Sequence, residues 1–322
     1  MPKKVLVTGG AGFIGSHLTE RLLKEGYSVT VIDNFSSGKQ ENLYRLLKNP
    51  RLRIINDDLK KPIRLRKILN DCEIVFHFAA NPQVKLGETE PRTHFDENIL
   101  ATFNLLDTVR KEKSVKVIVF ASTSTVYGEP KIMPTPEDYG PLIPISTYGA
   151  SKLGCEALIT SYAYTFGSRA LIFRLANIVG PKSTHGVIID FIDKIRNNPK
   201  TLEILGDGTQ TKSYLYITDC IDAIIYVTRK FLKDKEKVEI YNIGSEDQIT
   251  VKDIARIVAE EMKTPHVKLN FTGGVDGGRG WKGDVKIMNL SIEKLRRSGW
   301  APKHNSAKAV RLTAKLILKS SN

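Results

Sequence analysis

Apolar runs separated by amphipathic stretches set the rhythm of the first half of the chain. Residues 5–8, 29–33, 53–56, 74–79, 117–121 and 171–175 each read as a buried strand. Between them, apolar residues recur at helical spacing. Residues 16–24 close on Gly26, residues 98–111 carry Leu100, Phe103, Leu105, Leu106 and Val109, and residues 148–166 carry Leu153, Ala157, Leu158 and Tyr162. This alternation predicts an α/β fold, a Rossmann-type doubly wound parallel sheet.

The rhythm loosens after Asn177, where Pro181 to Gly186 lead into a helix over 187–196. A smaller α/β substrate domain is expected from there. The apolar run 238–243 is expected to rejoin the main sheet, which makes both domains discontinuous. Residues 1–177 plus about 237–244 form the first, and 178–236 with 245–322 form the second.

Composition places the 322-residue chain among ordinary globular proteins, with 41% apolar and 26% charged residues. The net charge of +14 is densest near the C-terminus, at Lys294, Arg296, Arg297, Lys303, Lys308, Arg311, Lys315 and Lys319. These alternate with Leu295, Ala309, Leu312, Leu316 and Ile317, so they read as solvated faces of amphipathic helices rather than a specific nucleic-acid surface. Cys72, Cys155 and Cys220 lie far apart without a Cys-x-x-Cys pair or a His cluster, and neither a metal site nor a disulfide framework is expected. No apolar run suits a signal peptide or a membrane span, so a cytoplasmic protein with no membrane partner is expected.

Gly9, Gly12 and Gly15 fall between the first strand and a helix opening near Phe13 and Ile14. A dinucleotide pyrophosphate can rest on that helix N-terminus, because glycine lets the backbone approach the phosphates. Asp33 ends the second strand, where a carboxylate can accept both ribose hydroxyls and repel a 2′-phosphate; NAD is favoured over NADP, with Lys39 nearby. Asp58 follows the third strand and reads equally as an adenine contact or as a loop cap.

Hydroxyls crowd the end of the fifth strand at Ser122, Thr123, Ser124 and Thr125, where open parallel sheets keep their active sites. Some of these must cap their own backbone. Tyr148 and Lys152 stand four apart at a helix start, on one face, so the ammonium can favour the ionised phenol. Taken singly, Tyr148 reads as an amphipathic aromatic. Paired with Lys152, downstream of a dinucleotide turn, it reads as a base.

In this order the motifs are specific. Residues 8–15, 33–39, Asp58-Leu59, His77-Phe78-Ala79-Ala80, Asn98, 123–128 and Tyr148-x-x-x-Lys152 resemble the extended short-chain dehydrogenase/reductases, in particular the UDP-glucose 4-epimerase-like members, over nearly the whole chain. The resemblance implies a tightly held NAD contacted by Asn34, Ser36, Ser37, Gly38, Leu59, Phe78, Ala79, Ala80, Asn98 and Ser122, besides the glycine turn, Asp33, Asp58, Tyr148 and Lys152. It implies transient oxidation of a UDP-hexose at C4, with Tyr148 as base, Lys152 on the nicotinamide ribose and Thr123, beside Ser124, on the 4-oxygen. It also implies a homodimer built on helices 98–111 and 148–166.

Departures from the family pattern carry information. Related dehydratases and decarboxylases have an acid where this chain has Ser124-Thr125, so elimination is disfavoured. Asn177 is expected to hold the diphosphate side of the substrate. Lys212 replaces a common arginine and loses its bidentate fork. Trp281-Lys282-Gly283-Asp284 replaces a common Arg-Pro-Gly-Asp, which leaves Arg279 as the expected phosphate contact and Trp281 as a uracil or loop contact. The runner-up is another epimerase or a dehydrogenase acting on a different nucleotide sugar; a noncatalytic NAD-binding regulator is the third reading.

Overall fold

The computed structural model describes residues 3–320. Strands β1 (Lys4–Thr8), β2 (Ser28–Asp33), β3 (Leu52–Asn56), β4 (Ile74–His77), β5 (Val117–Thr123) and β6 (Arg169–Leu175) form one sheet with strand Val238–Ile243. Its order runs from Val238–Ile243 through β6, β5, β4, β1 and β2 to β3, with parallel registers such as Val5↔Val29 and Val5↔Ile74. The strand 238–243 rejoins the sheet as its apolar pattern predicts.

Chain direction reverses its walk across the sheet between β1 and β4. That switch point is where a doubly wound sheet opens a ligand crevice beyond its strand ends. Strand β5 is buried along its whole length, which explains why its sequence shows a continuous apolar run rather than alternation. Phe76 and Phe120 are buried in this core, each contributing about 1.5–3 kcal/mol.

The chain divides into two compact units. One holds Met1–Val126, Thr147–Arg174 and Ile221–Tyr241; the other holds Tyr127–Ser146, Leu175–Cys220 and Asn242–Asn322. Apart from a few residues at strand ends, this differs from the boundary read in the sequence at two segments. Residues 127–146 leave the first unit, and residues 221–236 join it, because the amphipathic helix Ile217–Lys233 cannot reveal from its own pattern which core covers its apolar stripe. The second unit packs the helices Val187–Asn197, Val251–Glu261 and Ser306–Ser320 around Phe191, Ile195, Leu202, Ile254, Val258 and Val310.

The expected helix 98–111 differs too. A short helix Pro91–His94 runs into a π-helical turn Phe95–Leu100, followed by the helix Ala101–Val109. Such a turn carries one extra residue per circuit and frequently marks a functional site.

Candidate active site

The glycine turn follows β1 at the switch point. Gly9 has φ +67, and a Cβ there would meet the Ala79 backbone at 2.7 Å. A Cβ on Gly15 would stand 2.1 Å from the Gly9 carbonyl oxygen, so the helix Phe13–Lys24 can approach the turn only without side chains. Gly12 caps that helix in extended conformation, with no side-chain cap and no acid in its first turn. Its first N–H groups can therefore meet a phosphate.

Asp33 is 7% exposed and accepts the N–H groups of Ala11 and Phe35, each at 2.9 Å. Each carboxylate oxygen keeps lone-pair capacity for a diol hydroxyl. Burial raises its pKa while these backbone hydrogen bonds pull it down. Gly38 lies against the carboxylate, where a Cβ would come within 2.9 Å of both oxygens. Asn34 accepts from the Ser36 N–H and hydroxyl and donates to Asp58 at 3.1 Å, and Ser37 is exposed beside them. Asp58 also caps the Lys60 N–H at 2.8 Å, which is the loop-cap reading of this residue. Leu59 is buried, whereas Phe13, Ile14, Phe78, Ala79 and Ala80 are partly exposed.

A hydrogen-bonded chain crosses the switch point. The Phe78 and Ala79 N–H groups donate to Thr8 Oγ1, whose hydroxyl meets His77 Nδ1 at 2.8 Å. His77 Nε2 donates to Thr102 Oγ1 at 2.8 Å, and Thr102 donates to the Asn98 carbonyl at 2.6 Å. Every proton in this chain has one consistent direction if His77 is neutral. Burial, followed by the Lys152 charge, lowers its pKa to about 3.

Beyond β5, Tyr148 is hydrogen-bonded to Thr123. Lys152, one turn along the helix Thr147–Phe166, is 2% exposed, with its ammonium 4.1 Å from the Phe120 ring centroid. Another turn on, Glu156 holds Arg174 through two oxygens, with Arg174 Nη2 at 2.8 Å, and accepts the Ser122 hydroxyl. Ser124 is buried at the start of the turn Ser124–Tyr127. Asn98 donates to Ser151 at 2.9 Å and accepts the Asn81 N–H at 2.7 Å.

The sequence suggested that Lys152 brings the phenol toward neutrality. Protein groups alone do not: burial pushes Tyr148 up to about 12, against the Thr123 hydrogen bond, and burial also pulls Lys152 down to about 8. Desolvation is the largest cause at both groups.

In the second unit, Asn177 donates to the Ser213 carbonyl at 3.1 Å. Lys212 pairs with the buried Asp284 at 2.6 Å. Arg279 pairs with Glu129 and donates to the Asp284 carbonyl at 3.3 Å. Trp281 lies 5.8 Å, ring centroid to ammonium, from Lys212. Both expected anion-binding cations thus carry carboxylate partners, and a phosphate must compete with them.

The model of the NAD dependent epimerase/dehydratase family matches residues 5–244. The chain belongs to that family. A putative UDP-glucose 4-epimerase of Methanocaldococcus jannaschii is 34% identical over 92% of this chain and 93% of its own length. A crystal structure of a UDP-galactose 4-epimerase is 44% identical, covers 98% of this chain and 99% of its own, and superposes with a TM-score of 0.85. UDP-glucuronic acid decarboxylase 1 of Arabidopsis thaliana is 32% identical over 83% of this chain and 60% of its own length.

NAD is the cofactor of this NAD dependent epimerase/dehydratase family member, and the bare glycine turn, the uncapped helix end and the half-satisfied Asp33 fit it. Among the described residues no cluster of His, Cys, Asp or Glu is arranged to hold a metal ion, and no helix is long and apolar enough to cross a membrane. Sequence reasoning quoted His77 only as part of the family motif and missed His94, Glu156 and Arg174. The Tyr148-Lys152-Glu156 stripe, at i, i+4 and i+8, was the available signal for Glu156.

Proposed function

We propose that this chain is a UDP-hexose 4-epimerase that interconverts UDP-glucose and UDP-galactose in the cytoplasm. The observation that carries the reading is the Tyr148 phenol hydrogen-bonded to Thr123 at the end of β5, with Lys152 buried one turn away. Tyr148 takes the proton of the 4-hydroxyl, and Thr123 binds the same oxygen. When bound, NAD would supply a hydride acceptor and a positive charge, which would favour the phenolate that protein groups alone disfavour. Lys152, held in the β5 side of the helix, steadies that phenolate and the ribose.

Epimerisation would then need the 4-keto sugar to turn over within the site, with Tyr148 returning the proton to the same oxygen. Ser124 and Thr125 offer hydroxyls that titrate too high to shuttle protons for elimination, which argues against a decarboxylase despite the Arabidopsis relative. Asn177, Lys212 and Arg279 receive the diphosphate side of the substrate, with Lys212 and Arg279 exchanging their carboxylate partners for phosphate oxygens. Incubation with UDP-galactose and no added NAD tests the reading. UDP-glucose is the expected product; accumulation of NADH with an oxidised sugar would instead favour the dehydrogenase alternative.

A homodimer is part of this reading. Phe95 and Phe103 are 50% and 43% exposed, and Ile99 between them at helical spacing lies beside Gly154 of the helix Thr147–Phe166. On that helix Ala150, Ala157 and the 67%-exposed Tyr164 continue an uncharged face. Two copies can bury this surface against each other. Sedimentation at micromolar concentration should find a dimer, and Phe103→Glu should move it to monomer by placing a charge in the seam. The three free, buried thiols suit a reducing compartment.

A further inference from the structure

Tyr148 is the second residue of the helix Thr147–Phe166, in the turn whose backbone N–H groups have no intrahelical partners. A ring that must hold one orientation there needs restraint from outside the helix. Asn98 provides one restraint, through Ser151, whose hydroxyl donates to the Tyr148 carbonyl at 2.7 Å. That restraint acts on the backbone and leaves the ring to be held by something else.

His94 lies four residues before Asn98 and is 1% exposed. Its Nε2 is 3.1 Å from the Gln83 carbonyl oxygen, which can only accept, so Nε2 carries the proton. Nδ1 therefore accepts the Thr147 hydroxyl at 2.8 Å. The imidazole also meets the Tyr148 ring edge-on, with centroids 5.7 Å apart at 62°. Gly87 makes this contact sterically open, since a Cβ there would stand 2.0 Å from Thr147 Oγ1 and 3.2 Å from His94 Nδ1. Burial lowers the His94 pKa against the pull of Gln83 and Glu97, which keeps Nδ1 an acceptor.

We propose that His94 is a positioning residue for Tyr148, fixing both the ring and the first turn that carries it; this rests on the reading of Tyr148 as the base. Its effect reaches the chemistry through the phenol's orientation toward Thr123 and the sugar oxygen. A displaced phenol loses the hydrogen bond that favours its ionised form, so its apparent pKa rises.

The test uses NAD-loaded protein and variants His94→Ala, His94→Asn and Thr147→Val. Tyr148 ionisation is followed by phenolate absorbance as a difference from Tyr148→Phe, alongside kcat and KM for UDP-galactose. His94→Ala should raise the phenol's apparent pKa by about half a pH unit or more and lower kcat by about tenfold or more with KM nearly unchanged. His94→Asn, whose Oδ1 can stand in for Nδ1, should recover part of both. Thr147→Val should move both readouts in the same direction by less.

A wild-type phenol titration and kcat in His94→Ala or in Thr147→Val overturns the proposal. So does an equal loss of NAD and substrate affinity with Asn no better than Ala. Should His94→Ala fail to fold, Thr147→Val decides alone. Tyr148→Phe matching wild-type turnover defeats the base reading, whereas an inactive Tyr148→Phe beside an unaltered His94→Ala defeats only the positioning role.

Discussion

Tyr148→Phe should lose turnover by a factor on the order of 10² to 10⁴ while retaining NAD. Only one oxygen is removed, and it is the one bonded to Thr123, so the ring, its edge contact with His94 and the helix start remain. Product formation from UDP-galactose, set beside NAD released from the denatured variant, measures both halves. The wild-type rate should rise with pH through the phenol's apparent ionisation, because the deprotonated form is the base, and the variant should show no such limb. Turnover equal to wild type would leave the noncatalytic NAD-binding reading standing.

Glu156→Ala should destabilise the fold by about 3–5 kcal/mol, since it leaves the Arg174 guanidinium buried without its carboxylate. The two side chains are 5% and 4% exposed, and their pairing is bidentate, so no solvent compensates the loss. Ser122 loses its acceptor in the same change. The midpoint of urea unfolding measures the effect. Glu156→Ala combined with Arg174→Met should recover much of the loss, because an apolar pair needs no desolvation offset. A midpoint that does not move in the single variant would rule out the pair as a stabilising feature.

What the sequence made legible were features contained within one element. The glycine turn, Asp33 at its strand end and Tyr148 with Lys152 are each written in a spacing that a strand or helix converts directly into geometry. The parallel sheet followed from the alternation, as did the return of residues 238–243 to it. Contacts between distant segments were not legible. His94 meets Thr147 across 53 positions, and nothing local in Pro91-Arg92-Thr93-His94 distinguishes a helix end from a clamp.

The charges of Lys212 and Arg279 were visible, but their partners Asp284 and Glu129 lie 72 and 150 positions away. The family resemblance therefore suggested free cations where folding supplies paired ones. The unit to which residues 127–146 belong was hidden for the same reason, since a loop's loyalty is set by what it packs against. The phenol's raised pKa required knowing how far folding withdraws it from water, which spacing does not encode.

The π-helical turn Phe95–Leu100 holds one residue more than an ordinary turn, so the faces on either side of it keep their mutual orientation. An ordinary helix advances about 100° per residue. Deleting one position inside that turn would regularise the coil and leave His94 facing Tyr148, whereas a second deletion would find no surplus residue and would swing His94 about a quarter-circle away. The segment should therefore tolerate the loss of one residue and not of two.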